Sequence, residues 1–443
     1  MRIQQHCPLA PVRFGRIVSA LCATLLALAG TERAGAWGEP HATITRAALA
    51  TLPDWQRQRL GEEWEALGSH HCLIPDRVHT EKENARFAMM DSRPGVVYLV
   101  NLHLPATQPE NFEVLRYFMG KGVAAMRVGD LRDAARYAGT LAHVLEDWTC
   151  PAHCVPGDNM FTLFKQFLPP PEPWRYALLH GPVENGTLKV TIGSREPRLL
   201  ADSVDEAAFR LLQRANEGTA AARAQVIPII QGLYSGDTNA VVTAQTSAAV
   251  CGAGIVADAL HTMFCLGAET PLAAVPKTLD LSSCIPLEAT NLAFPQGAFF
   301  SRPYWGHAQR GVILRDGTNA IPLSLLVEEQ GGITEKQFAT GIGTGTRSAL
   351  SYLVPAGVYD RFAVLAGLQA GLGASGNVQF SVLGNGKVLC AATVTGRQPA
   401  RRLECPIAGV TNLQLVATSG GGDGKGNFAV WAEPQLIKAD KGP

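Results

Sequence analysis

The sequence predicts a multidomain chain in which an all-α domain is followed by an all-β jelly-roll or β-sandwich domain. Three observations carry this. Apolar residues recur at helical spacing through residues 37–270, short β-prone runs between glycine-rich turns follow, and an apolar run flanked by arginines opens the chain.

The opening run is read as a leader of residues 1–36. Arg2, Arg13 and Arg16 supply its positive start, and Ile17 to Gly30 is too short for a comfortable membrane span yet suits a signal core. Ala34, Gly35 and Ala36 form a small-x-small cleavage pattern, so the mature chain is expected to begin at Trp37. Cys22 lies inside the apolar core rather than at its end, which argues against a lipoprotein site. The expected product is periplasmic or secreted and has no transmembrane anchor.

Cleavage removes four basic residues (Arg2, Arg13, Arg16, Arg33) and one acid (Glu32) from the 38 of each sign. A net charge near −3 remains, without a polybasic run, which offers no footprint for duplex nucleic acid or an acidic bilayer. Eight of the ten cysteines survive cleavage, too few for a disulfide scaffold but able to pair in an oxidising compartment.

The α domain is expected over 37–270. Leu131, Ala134, Ala135, Ala138, Leu141, Ala142 and Leu145 fall on one helical face, and Val204 to Arg214, Ala221 to Leu233 and Ala240 to Leu266 read as further helices. Pro169, Pro170, Pro171 and Pro173 interrupt the middle before a short helical candidate at Trp174 to Leu179. A linker at 271–281 leads to the β domain, 282–440, with strands expected at Ala349 to Val354, Phe362 to Leu368, Val378 to Leu383 and Leu413 to Ala417. Asn385 and Gly386 mark a hairpin because both tolerate positive φ. Cys390 and Cys405 fall on neighbouring expected strands and are read as a disulfide pair.

The chemistry concentrates in GTLAHVLEDWTCPAHC, residues 139–154. His143 and Asp147 are four apart and project from one helix face, and His153 follows a proline-marked helix end. Imidazole, carboxylate and imidazole in this order suit zinc, with the carboxylate able to bridge two ions. The plainer alternative is a histidine capping an apolar face beside a solvated acid. A freed Trp37 amine and carbonyl could chelate the same kind of ion, with His41 four residues on.

This stretch resembles the His-x-x-x-Asp and following His of the zinc-dependent phospholipase C and single-strand nuclease superfamily, whose mature terminus is a zinc-binding tryptophan. His180 to Glu184, in HGPVEN, has the spacing of its downstream His-x-x-x-Glu. The resemblance implies three zinc ions. One would be held by Trp37, His41 and Asp147, a second by His153, His180 and Glu184, and a third by Asp76, His143, Asp147 and a further histidine. His103, in YLVNLHLP, is the first choice for that histidine and His79 the alternative. Asp76, in CLIPDRVH, resembles the family's early aspartate beside the attacking water, and a helix cap or turn acid after Pro75 is the competing reading. His70, His71 and His261 are read as bystanders. Gly181 and Pro182 depart from the pattern, because proline breaks the helix that would aim His180 and Glu184 together.

Clustered zinc lowers the pKa of water from 15.7 toward about 7 and stabilises charge developing on phosphoryl oxygens, so phosphodiester hydrolysis is the implied reaction. No GxSxG elbow or catalytic cysteine arrangement accompanies it. The β domain resembles a second family, the NPCBM type of carbohydrate-binding module, through GIGTGTRSALSYLVPAGVYDRFAVLAGL, VQFSVLGNGKVL and the closing NFAVWAEPQLI. Asn427 stands where that family commonly shows an acid. Tyr304, Trp305, Trp431 and Tyr352 are candidates for stacking on a sugar ring or, alternatively, for core packing. The leading reading is therefore an exported phospholipase C-type hydrolase of a phospholipid or related phosphodiester, targeted by a glycan-binding domain. Two alternatives stand beside it: a single-strand nuclease, and a glycan-binding or adhesive protein whose helical domain holds metal for stability alone.

Overall fold

The structure is a computed structural model that describes residues 40–91, 93–96, 109–154, 187–269, 275–291, 308–315, 319–422 and 424–439. The leader, Trp37, His103, the proline run, the helical candidate at Trp174 to Leu179, His180, Glu184, Tyr304 and Trp305 lie outside these residues. The N-terminal part of the described chain is mostly helical and the C-terminal part mostly β.

The helices in chain order are α1 (Pro40–Leu49), α2 (Asp54–Leu60), α3 (Glu63–Ser69), the short α4 (Ile74–Arg77), α5 (Pro109–Arg127), α6 (Leu131–Asp147), α7 (Val204–Ala224), α8 (Val226–Ser235) and α9 (Thr238–Ala268). Asp130 caps α6 by accepting from the Asp133 N–H at 3.0 Å, satisfying a donor that the first turn leaves orphaned. Ser203 and Asp237 cap α7 and α9 in the same way. The stretch read as one helix from Ala221 to Leu233 is two, broken at Gln225. Pro228 explains the restart: it lacks the N–H that a continuous helix would need but fits the first turn of α8. α9 is long and apolar enough to cross a membrane by length and composition, yet 83% of its most apolar window is buried inside the protein. It is a core helix, packed against α1, α5, α6 and α7.

The β region holds two larger antiparallel sheets. One orders β13 (Lys387–Thr395), β12 (Asn377–Gly384), β15 (Asn412–Ser419), β10 (Ser348–Leu353) and β4 (Glu288–Asn291). The other orders β14 (Arg401–Pro406), β11 (Arg361–Leu368), β16 (Phe428–Ile437), β9 (Gly341–Gly345) and β5 (Gln309–Arg310), with β3 (Thr278–Asp280) also on β16. Residues 278–280, read from sequence as linker, thus extend the second sheet. A smaller sheet joins β6 (Val312–Leu314), β7 (Ala320–Glu329) and β8 (Gly332–Phe338), and near the N-terminal helices β1 (Met89–Met90) pairs with β2 (Arg93–Val96).

Alternation places Val378, Phe380 and Val382 of β12 in the core, and Phe380 meets Trp431 of β16 edge to face with centroids 5.0 Å apart. Asn385 and Gly386 turn the β12–β13 hairpin with φ of 50° and 80°, as their side chains allow. Pro434 of the closing Trp-x-x-Pro sits in a bulge: Ala363 pairs with Gln435 and Leu365 with Ala432, so Glu433 and Pro434 together oppose Val364. A bulge is where a strand can hold a residue without an N–H.

Cys390 and Cys405 occupy consecutive strands, as expected, but those strands belong to opposite sheets, and both thiols are free. The disulfide expectation is corrected to that extent. The two thiols nevertheless face each other, a hydrogen bond from Cys405 holding the Cys390 thiol below its ordinary pKa.

The helical and β regions share one apolar core. At their junction Glu206 of α7 is fully buried and accepts from Arg210 at 2.9 Å, from the Tyr359 hydroxyl at 3.2 Å and from Lys438 at 2.6 Å. Two cations and a phenol satisfy one carboxylate, which is what a buried charge requires.

Candidate metal centre

Three elements bring the cluster together. α1 supplies His41 and Thr45, α6 supplies His143, Glu146 and Asp147, and the 3₁₀ turn His71–Leu73 with α4 supplies the Cys72 carbonyl and Asp76. His153 arrives on a turn after α6, where the Cys150 N–H bonds to Asp147 O and the His153 N–H to Cys150 O.

α6 approaches the 3₁₀ turn unusually closely because residue 139 is glycine. A Cβ there would overlap the His71 backbone carbonyl. That approach lets the His143 Nδ1–H donate to Cys72 O at 2.8 Å, which fixes the tautomer and turns Nε2 toward the two carboxylates. Gly139→Ala is therefore expected to cost about 1–3 kcal/mol of stability, the usual range for overpacking, and to lower metal content as His143 loses its anchor. Urea unfolding and elemental analysis read the two effects.

His143 Nε2 lies 3.6 Å from Asp76 Oδ1 and 3.5 Å from Asp147 Oδ2. His41 Nε2 is 3.6 Å, and His153 Nε2 4.0 Å, from Asp147 Oδ1. The His41 and His143 rings stack at 3.9 Å. These separations are too long for hydrogen bonds. They approach the ~3.3 Å expected between ligands of a tetrahedral ion at Zn–N and Zn–O distances of about 2.0–2.1 Å. His41, Asp76 and His143 each offer a ligand atom within 4.8 Å of the others. The donor set fits zinc: two neutral-capable imidazoles and a carboxylate, with a second carboxylate and a third imidazole adjoining.

Electrostatics favour the ligand-competent form of His143. Burial, then the neighbouring His41, pushes His143 down to about 4, keeping its imidazole neutral at physiological pH. Burial pushes Glu146 up to about 8, against the opposing effect of Thr45.

Glu146 is the residue of this cluster that the sequence reading passed over. Its carboxyl sits 2.6 Å from His41 Nδ1 and accepts from the Thr45 hydroxyl at 2.6 Å. It orients His41 as the Cys72 carbonyl orients His143, the outer-shell arrangement typical of metal-binding histidines. The signal was in LAHVLED, where a fully buried glutamate precedes the aspartate on an apolar helix.

The other predicted residues separate. His79 is exposed on the turn after α4. His70 contacts Arg77 and Glu81, His71 contacts Glu63, and His261 contacts Gln56, so none of the three joins the cluster. Trp431 is fully buried under Phe380 and Tyr352 is only 2% exposed, so neither ring has a face for a sugar. Their stacking role is corrected to core packing. Asn427, also buried, accepts from the Asn377 N–H at 2.8 Å and donates to Thr346 and Ser419, tying together the ends of β12 and β15 and the turn after β9.

Comparison with known proteins bears on the β region. Residues 304–437 match the NPCBM/NEW2 domain family, so the C-terminal region matches a carbohydrate-binding family. No curated protein matches the chain. Among solved structures, the CBM51-2 and INT domains of Clostridium perfringens ZmpB are 20% identical over 37% of this chain and 32% of theirs, with a TM-score of 0.30. CBM51 of Clostridium perfringens GH95, solved with methyl-galactose, is 20% identical over 36% of this chain and 99% of its own, at 0.29. The tandem CBM51 modules of Sp3GH98 from Streptococcus pneumoniae are 18% identical over 38% and 48%, at 0.31.

Proposed function

We propose that the protein is an exported glycan-binding protein whose β region is a jelly-roll sandwich that carries recognition and whose helical region holds zinc. The match of residues 304–437 to a carbohydrate-binding family supports this reading most directly. Buried zinc ligands would then stabilise the helical region as linked binding stabilises any native state. In an oxidising compartment, Cys390 and Cys405 would be poised to bridge the two sheets.

A second reading, phosphodiester hydrolysis of phospholipase C or nuclease type, is favoured by one observation. Asp147 faces three imidazoles and adjoins Asp76, which offers more donors than one closed structural ion takes. Trp37, His103, His180 and Glu184 would extend the set to the three ions that the family resemblance implies. Zinc held there would supply Lewis acidity toward nonbridging phosphoryl oxygens. The chain's own residues divide the remaining work. The Cys72 carbonyl holds a proton on the outer nitrogen of His143, so its Nε2 presents a lone pair inward, and an ionised Glu146 would do the same for His41. Asp76, with its side chain 16% exposed, would orient the attacking water.

One parallel assay separates the readings: full-length mature protein is tested on a glycan array, its zinc is counted, and it is incubated with phosphatidylcholine, single-stranded DNA and a generic phosphodiester. The first reading expects glycan retention, bound zinc and no turnover. Turnover of lipid or DNA that disappears on chelation would establish the second, and no glycan retention would overturn the first.

A further inference from the structure

The face of α7 that carries residues 210, 213, 214 and 217, spaced at i, i+3, i+4 and i+7, lines a cavity of about 280 Å³ at the junction of the helical and β regions. Arg198, Arg210 and Arg214 all contribute to its wall, against a single acid, Glu217. From the β side come Pro276, Leu279 and Ser283. It is distinct from the metal centre, which is built from α1, α4 and α6.

The guanidiniums are fixed from behind. Arg210 Nε donates to buried Glu206 at 2.9 Å and its Nη2 to Pro276 O at 3.2 Å. Arg214 Nη1 donates to Glu217 at 2.7 Å and its Nη2 lies 3.6 Å from Asp258, while its Nε is buried with no hydrogen-bond partner among the described residues. Arg198 is delivered by an irregular segment laced onto α9. Its N–H donates to Asp258 at 2.8 Å, its carbonyl accepts from the Thr262 hydroxyl at 3.3 Å, and the next-but-one N–H, from Leu200, donates to the same hydroxyl at 3.0 Å. The Arg198 side chain itself is exposed, and no acid among the described residues reaches its guanidinium. The cavity thus combines an immobilised backbone, surplus N–H donors, positive charge and apolar walls from Leu199 and Leu279.

We propose that this cavity binds a small organic molecule bearing a phosphate or sulfate group, such as a single phosphorylated or sulfated sugar. Arginine's planar fork suits such oxyanions, and Arg198 supplies a guanidinium that no acid among the described residues engages. A volume of about 280 Å³ exceeds what a bare oxyanion fills, and the leucine and proline walls suit the body that carries it. Because the cavity is walled by both regions, occupancy would tighten their junction and stabilise the whole chain.

The test uses zinc-loaded, full-length mature protein titrated with galactose 6-phosphate, galactose 6-sulfate, galactose and ionic-strength-matched chloride, read by calorimetry and thermal unfolding. A saturable rise in Tm is expected with one or both esters and with neither control, the two ester arms telling phosphate from sulfate. Arg198→Ala should weaken the binding by about tenfold or more, the loss of a charge-assisted contact, while leaving the urea midpoint unchanged because that side chain supports nothing in the fold. Arg198→Lys should restore part of the affinity. Arg198→Ala binding that equals wild type would place the ester elsewhere, at the metal centre for instance, and overturn the proposal. So would the absence of any response beyond chloride.

Discussion

If the buried His–Asp cluster holds zinc as proposed, Asp147→Asn will remove the zinc-dependent part of the protein's stability. Asp147 is 1% exposed, and its two oxygens lie 3.5–4.0 Å from the Nε2 atoms of His41, His143 and His153. Asparagine fills the same volume but offers one amide oxygen in place of the two carboxylate oxygens that the three imidazoles face, so the proposed shared ligand is lost. For one site at a free zinc concentration a hundred times Kd, linkage gives about 2.7 kcal/mol of stabilisation, which the variant should forfeit. Zinc content should fall by at least one ion per chain. The control is His79→Ala, an exposed residue whose removal should change neither quantity. Zinc loss in that control would restore His79 to the ligand set, and a zinc-induced stability increment retained by Asp147→Asn would show that the metal binds elsewhere.

Sequence and structure agree most closely where one element's own periodicity carries the information. His143 and Asp147 share a face because α6 is regular between them, and Asn385–Gly386 turns a hairpin because the required φ angles exclude most other residues. Pairings that depend on the chain's path in space are harder to read. Cys390 and Cys405 meet across two sheets, a juxtaposition that no local pattern announces. Glu146 escaped notice because it acts through another side chain: it orients His41, 105 residues away, and touches no metal position of its own. The same holds for Gly139, whose lack of a side chain matters only because His71 packs against it. Trp431 illustrates the opposite hazard. An aromatic residue near the end of a recognised motif suggests a binding platform, whereas its alternation on β16 sends it inward.

Asp258→Ala should produce the largest loss of stability outside the metal centre, about 3–5 kcal/mol, the range for removing one partner of a buried ion pair. Asp258 is fully buried on α9 and takes both hydrogen bonds of Arg195 Nη2, at 2.9 and 2.7 Å, besides the Arg198 N–H. Without it, the Arg195 guanidinium, only 26% exposed, keeps the Gly254 carbonyl alone, and the Arg198 N–H loses its acceptor. The cost lies chiefly in the charge left behind rather than in the attraction removed, which a double-mutant cycle can show. Arg195→Met preserves most of the apolar stem, so Asp258→Ala combined with Arg195→Met should be less destabilised than Asp258→Ala alone, whereas independent contributions would add. The effect should also reach the arginine-lined cavity, because the segment that presents Arg198 is tied to α9 through Asp258. Ester affinity should therefore fall in Asp258→Ala even at temperatures where the protein remains folded, and recover in no single variant that leaves position 258 without an acceptor.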